Sequence, residues 1–174
     1  MAQLVITAVG PDRPGLVDEL TGRLLDAGAN VADSRMVNMR GQFALLMLAQ
    51  VDDDAQTKVS QTMNDAGQQL GLAIHVAPQA ASAAPPVQGV PYRLRTHAMD
   101  QPGIVHRVTH LLHEHRVNIE ELATHLESGS YSGTPLFTVE LHMTVPPDVS
   151  VKTLRSELEN LCDSLNCDVE LNPG

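Results

Sequence analysis

Residues 12–31 and 100–119 of the chain match at a constant offset of 88 without a gap. Seven of the twenty paired positions are identical: Asp12/Asp100, Pro14/Pro102, Gly15/Gly103, Val17/Val105, Thr21/Thr109, Leu24/Leu112 and Asn30/Asn118. Leu16/Ile104, Leu20/Val108 and Val31/Ile119 differ only in aliphatic shape. Self-similarity of this kind predicts one supersecondary unit used twice rather than a single larger domain. Between the copies, residues 79–90 (QAASAAPPVQGV) carry no charge and are dominated by Ala and Pro. They read as a linker with an extended Pro-Pro step, reaching at most roughly 37 Å at about 3.1 Å per residue. The expected division is a first domain over residues 1–78, the linker over 79–90 and a second domain over 91–174.

Periodicity gives the order of elements within each copy. In the first, residues 3–9 read as a strand and Asp12-Arg13-Pro14-Gly15 as a turn. Leu16, Val17, Leu20, Leu24 and Leu25 follow with helical spacing up to Gly28. Residues 31–37 and 42–51 form a hairpin, 54–70 a second helix and 73–76 a last strand. In the second copy the strands fall at 92–98, 118–126, 136–145 and 168–171, and the helices at 103–115 and 150–165. The longer hairpin loop there, residues 127–134 (ESGSYSGT), has the composition of a mobile excursion, a lid or a partner contact. Two βαββαβ units predict an α+β fold of two ferredoxin-like domains, each an antiparallel sheet with helices on one face. In the first copy Ala44, Leu46 and Leu48 face away from Phe43, Leu45 and Met47, so that strand is apolar on both sides. A bare apolar sheet face points to an interface, within the chain or in a homo-oligomer.

Composition narrows the function. Eleven Lys and Arg against 21 Asp and Glu give a formal charge of -10. That is the wrong sign for a surface that neutralises phosphates, so direct nucleic-acid binding is not expected. With no Trp, two Phe and two Tyr, both cores must be aliphatic. Two cysteines, Cys162 and Cys167, are too few for a secreted disulfide framework. With no leader-like start and no apolar stretch long enough to span a bilayer, a cytoplasmic protein with no membrane contact is expected.

The chemistry concentrates at the Asp-x-Pro-Gly turns. A helix N-terminus offers unpaired N–H groups and the positive end of the helix dipole, so it can hold an α-carboxylate without a basic side chain. Gly15 lets a ligand approach the backbone, Pro14 fixes φ near the helix start, and Asp12 can accept from a ligand ammonium. A purely structural reading also fits, with Asp12 as N-cap and Pro-Gly as the turn. Asn30 and Asn118, each eighteen residues on and opening the second strand, are placed by this reading alongside the turn. A carboxamide there could serve both ends of a zwitterion. His106, His110 and His113 share a helix face at metal-ligand spacing. The core face of that helix is Ile104, Val105, Val108, Leu111 and Leu112, so the histidines are expected to point outward and bind no metal. Cys162 extends the Leu154, Leu158 and Leu165 stripe and reads as packing. No arrangement of nucleophile and base suggests catalysis.

The pattern Asp-Arg-Pro-Gly-Leu-Val with Gly-Ala-Asn-Val, repeated as Asp-Gln-Pro-Gly-Ile-Val with Arg-Val-Asn-Ile, resembles the ACT domain signature across both halves. Val117-Asn118-Ile119-Glu120-Glu121-Leu122, Gly133-Thr134-Pro135-Leu136-Phe137 and Leu165-Asn166-Cys167-Asp168-Val169-Glu170-Leu171 resemble tandem ACT proteins of the glycine cleavage system transcriptional repressor family. The resemblance implies a regulatory protein with no cofactor and no catalysis, binding glycine or serine at ACT–ACT interfaces. It carries to Asp12, Arg13, Pro14, Gly15, Leu16, Val17 and Asn30, and to Asp100, Gln101, Pro102, Gly103, Ile104, Val105 and Asn118. Gln101 replaces Arg13, so the two sites need not be equivalent. Gly10 and Ala98 stand where some serine-binding relatives have a histidine. The implied partner is a transcription factor, or a metabolic enzyme if the chain is a detached regulatory subunit.

Overall fold

The computed structural model describes residues 1–79, 88–128 and 135–174, so most of the 79–90 and 127–134 segments lies outside the described residues. The chain divides into two compact units, Met1–Ala83 and Ala84–Gly174. The first runs β1 (Ala2–Pro11), α1 (Leu16–Ala27), β2 (Asn30–Met39), β3 (Gln42–Val51), α2 (Gln56–Leu70) and β4 (Ala73–Pro78). The second runs β5 (Val90–Met99), α3 (Ile104–Glu114), β6 (Asn118–Ser128), β7 (Pro135–Val145), α4 (Val151–Ser164) and β8 (Cys167–Pro173). Each is a four-stranded antiparallel sheet, ordered β2-β3-β1-β4 and β6-β7-β5-β8, as the two βαββαβ repeats predict.

Burial follows the alternation of the strands. In the first unit Leu4, Ile6 and Ala8 of β1 and Phe43, Leu45 and Met47 of β3 pack against Leu16, Leu20 and Leu24 of α1 and Val59, Met63 and Ala66 of α2. Those helical residues recur at three and four positions, the stripe that turns one helix face inward. Gly28 ends α1 at φ 89, and its N–H and that of Ala29 close on the carbonyls of Leu25 and Leu24. Glycine reaches this left-handed region without a Cβ penalty. The second unit puts Arg116 at the equivalent place with φ 55. Its core joins Leu94, Val139 and Leu141 to Ile104, Val108 and Leu112 of α3 and Leu154, Leu158 and Cys162 of α4.

The sheet faces away from the helices differ. Cross-strand partners share a face, and in the first unit the rows read Val37–Ala44–Val9, Arg35–Leu46–Thr7 and Asp33–Leu48–Val5. Leu46, Val37 and Val9 are about half exposed, at 51%, 49% and 49%. In the second unit the corresponding face carries Arg93, Arg95 and His97 on β5 opposite His142, Glu140 and Thr138 on β7. Arg95 lies 2.8 Å from Glu140, and His142 lies 3.3 Å from Glu121 of β6. Asp168 and Glu170 of β8 flank the same stripe. That face is polar, with the Arg95–Glu140 ion pair at its centre and histidines beside acidic residues around it.

Candidate functional site: the turn before the first helix of each unit

In the first unit the turn sits beside the β2–β3 hairpin. The Asp12 N–H donates to the Gly41 carbonyl at 2.9 Å, and the Asp12 carboxylate accepts from the side-chain amide of Asn38. Arg40 and Gly41, at φ 52 and 83, form the two-residue hairpin loop with both central residues left-handed. Gly15, at φ 91 and ψ -5, has the dihedrals of the third residue of a type II turn, with Pro14 before it. Helix α1 begins at Leu16 with Gly15 as its N-cap, and no side chain caps it. Asp12 is therefore not the N-cap, and Pro14 precedes the helix instead of opening it.

The uncapped first turn borders a cleft of about 320 Å³ lined by Asp12, Arg13, Pro14, Gly15, Leu16, Val17 and Asp18, with Met36 and Phe43 behind. Leu16 is only 2% exposed, so it offers the cleft its backbone while its side chain belongs to the core. Val17 is exposed. Arg13 is engaged: its guanidinium donates to the Glu19 carboxylate at 2.6 Å and to the Pro14 carbonyl at 3.3 Å. That hydrogen bond holds Arg13 above and Glu19 below their usual pKa, against a small opposing effect of desolvation. Arg13 compensates the Glu19 carboxylate, which leaves Asp12 and Asp18 as the carboxyl groups lining the cleft beside the positive helix end. The helix start offers hydrogen-bond donors for an anionic group and the aspartates offer acceptors for a cationic one.

A Cβ on Gly15 would meet only the Glu19 carboxylate, at 3.7 Å, so the glycine is required by backbone angle and not by crowding. Gly22, in the middle of α1, has open space around it. Gly15→Ala is expected to destabilise by about 1–2 kcal/mol through left-handed strain, and Gly22→Ala to stabilise by about 0.5–1 kcal/mol. Urea midpoints of the two variants should move in opposite directions.

Asn30 does not lie alongside this turn. It pairs with Gln50, which pairs with Gln3, whereas the turn follows Pro11, the partner of Gln42. From Gln3 to Pro11 the strand rises about 26 Å at roughly 3.3 Å per residue. The cause is topological: β1 and β2 both pair antiparallel to β3, so they run the same way, and α1 carries the chain back before β2 starts. Asn30 lines a separate cleft of about 490 Å³ with Leu25, Gly28, Ala29, Gln50 and Asp52. Asn118 pairs with Thr144 and is likewise remote from Asp100, which follows Met99, the partner of Leu136.

The second turn repeats the backbone. Gly103 has φ 96, caps α3 without side-chain help, and its carbonyl accepts from the Arg107 N–H at 2.9 Å. Ile104 is buried at 1% and Val105 packs against the core from a half-buried position. The Asp100 N–H donates to the Pro135 carbonyl at 3.4 Å. Gln101 departs from Arg13 in role as well as type, because its side-chain amide donates to the Leu165 carbonyl at the end of α4. That bond fastens Pro102-Gly103 to the helix layer.

The sequence alone does not bring Asp18, Glu19, Met36, Asn38 or Phe43 to the turn. Asn38 falls between the two hairpin strands expected over 31–37 and 42–51, and nothing local shows that its amide reaches Asp12, twenty-six residues away. His106, His110 and His113 are exposed, with the rings of the first two stacked at 5.8 Å. Among the described residues no group of three His, Cys, Asp or Glu is placed to hold a metal ion, and no helix is long and apolar enough to cross a membrane.

Comparison with known proteins agrees with this architecture. Residues 2–77 match the ACT domain family model. Over 169 residues, 97% of this chain and 88% of the relative, the sequence is 27% identical to the glycine cleavage system transcriptional repressor of Escherichia coli (strain K12). Over 78 residues, 44% of this chain and 87% of the relative, it is 32% identical to the UPF0237 protein MK1213 of Methanopyrus kandleri. A crystal structure of a putative glycine cleavage system transcriptional repressor superposes with a TM-score of 0.73 at 26% identity, covering 98% of this chain and 96% of the other. The first unit, residues 2–77, belongs to the ACT domain family, and the second unit repeats its βαββαβ order and its glycine turn.

Proposed function

We propose that the protein senses glycine or serine and regulates transcription of amino-acid metabolism through contact with another protein. The observation that carries this reading is the uncapped N-terminus of α1, which opens on a cleft that also holds Asp12 and Asp18. Full-length similarity to a transcriptional repressor supports the regulatory part. The charge of -10 supports action through a protein rather than on DNA. Since Asn30 stands at the far end of its own sheet, its carboxamide would reach a ligand at a turn only from a different ACT unit.

Calorimetry with glycine and serine on the full chain tests the proposal. Binding of one of them is expected, with Asp12→Ala and Asn30→Ala each weakening it roughly five- to a hundredfold by leaving a ligand polar group unpaired. Circular dichroism of both variants should match the parent. If neither amino acid binds, the sensing function is wrong. If Asp12→Ala and Asn30→Ala bind as tightly as the parent, the turns are structural only. A gel shift with an operator fragment should show no complex without an added protein partner.

A further inference from the structure

We propose that the open sheet face of the first unit is a dimer interface, packed against the same face of a second copy across a two-fold axis. The middle of that face is mostly aliphatic, built from Leu46, Leu48 and Ala44 of β3, Val5 and Val9 of β1 and Val37 of β2, with the Thr7 hydroxyl among them. Polar groups stand around it: Arg35 and Asp33 on the outer strand, His75 on β4, and Gln3 and Gln50 at one end. An apolar centre within a polar rim is the anatomy of a protein interface, and an exposed patch of this kind is uncommon on a monomer.

Three observations favour a second copy as the occupant. The first is size. Three strands of ten residues and one of six, at about 4.8 Å spacing and about 3.3 Å per residue, cover roughly 570 Å², so two copies with interdigitating side chains come to the lower edge of the roughly 1,200–2,000 Å² typical of stable interfaces. The second is charge. The acidic groups of the unit sit on the turn, the helices and the loop before α2, leaving Asp33 alone on this face. Arg35 lies 2.8 Å from the Asp33 carboxylate, so an identical face brings no unpaired charge into the contact. The third is relief. Leu46 and Leu48 run beside Ala44, and the outer strand β4 offers Ala73 and Ala77, so large side chains of one copy find small ones on the other. Sheets stacked in this way lie about 10 Å apart with strands inclined by roughly 30°.

Sedimentation equilibrium of the full chain at micromolar concentration is expected to give a dimer. Leu46→Glu and Val37→Lys would bury a charge with no partner, weakening self-association at least about a hundredfold. Both positions are half exposed, and Val37 is on an edge strand, so the monomeric variants should keep the parent's circular dichroism. Gln61→Glu, on the solvent side of α2, should remain dimeric. A parent that is monomeric throughout, or a folded Leu46→Glu and Val37→Lys pair that both stay dimeric, overturns the proposal. The second of these results would place association on strand edges or helices. So would dissociation of Gln61→Glu.

Discussion

Phe43→Ala is expected to lower the stability of the first unit by about 3–5 kcal/mol, the upper range for truncation of a buried aromatic side chain. Phe43 is 0% exposed and is the largest side chain of an otherwise aliphatic core. Its cross-strand partner on β1 is Gly10, which contributes no side chain. A Cβ at Gly10 would come within 2.7 Å of the Leu72 side chain and 2.9 Å of the Gly71 carbonyl, so the backbone is already close there. The neighbours cannot collapse into the space the ring leaves, and a cavity that persists is what makes such substitutions costly. Phe137, at the matching place on β7, is only partly buried opposite Ala98 and should cost less when truncated. Hydrogen exchange in peptides covering β1 and β3, with urea unfolding of both variants, separates the two cases. Equal losses for Phe43→Ala and Phe137→Ala would contradict the argument. Since Phe43 also lines the cleft at the turn, the same substitution should weaken any ligand held there.

Stability is expected to fall at alkaline pH as the thiols of the unfolded chain ionise. Cys162 and Cys167 are free thiols, 1% and 8% exposed. Burial pushes Cys162 far above the ordinary thiol range, with the hydrogen bond to Cys167 and the charges of Asp163 and Asp168 adding to it. Burial also raises Cys167, opposed by its hydrogen bond with Cys162. Because the folded values exceed the unfolded ones, the thiols favour the folded state fully below the unfolded value. They lose that contribution as pH rises, when the unfolded chain ionises first. Unfolding free energy should be insensitive to these groups up to about pH 8 and then fall by up to about 1.4 kcal/mol per pH unit for each thiol. Cys162→Ala should lose part of this slope, measured as the difference from the parent so that other groups titrating there cancel. Native thiols should also react slowly with a thiol reagent at pH 8 and at once in urea. An unchanged slope would show that burial does not control them.

Much of the fold could be read from alternation. The limits of β3 at residues 42 and 51 follow from the Phe43, Leu45, Met47 run, whose period of two ends in Gly41 on one side and an aspartate run on the other. Order and antiparallel pairing followed from the repeat, since each copy has to satisfy one topology. Contacts that depend on two distant side chains were not readable. The Asn38–Asp12 bond and the Gln101–Leu165 brace join residues whose local sequence shows only a turn and a polar substitution. Asn30 was misplaced because its position depends on the direction of the crossover, not on its neighbours in sequence. The glycine that ends α1 could be seen, but Arg116 in the same left-handed conformation could not, since nothing about an arginine announces φ 55.

The difference between the two open sheet faces bears on how such a chain can be altered. Within each strand the residues that hold the helices and the residues that meet water alternate, so instructions for folding and instructions for recognition are interleaved letter by letter. Leu94 and Leu141 keep the core of the second unit, while their neighbours Arg95 and Glu140 decide what that surface accepts. Every second residue can therefore be rewritten with the remaining ones left in place. A graft of Val5, Val9, Val37, Leu46 and Leu48 onto the matching outward positions of the second unit would transplant a contact surface and leave the architecture beneath it untouched.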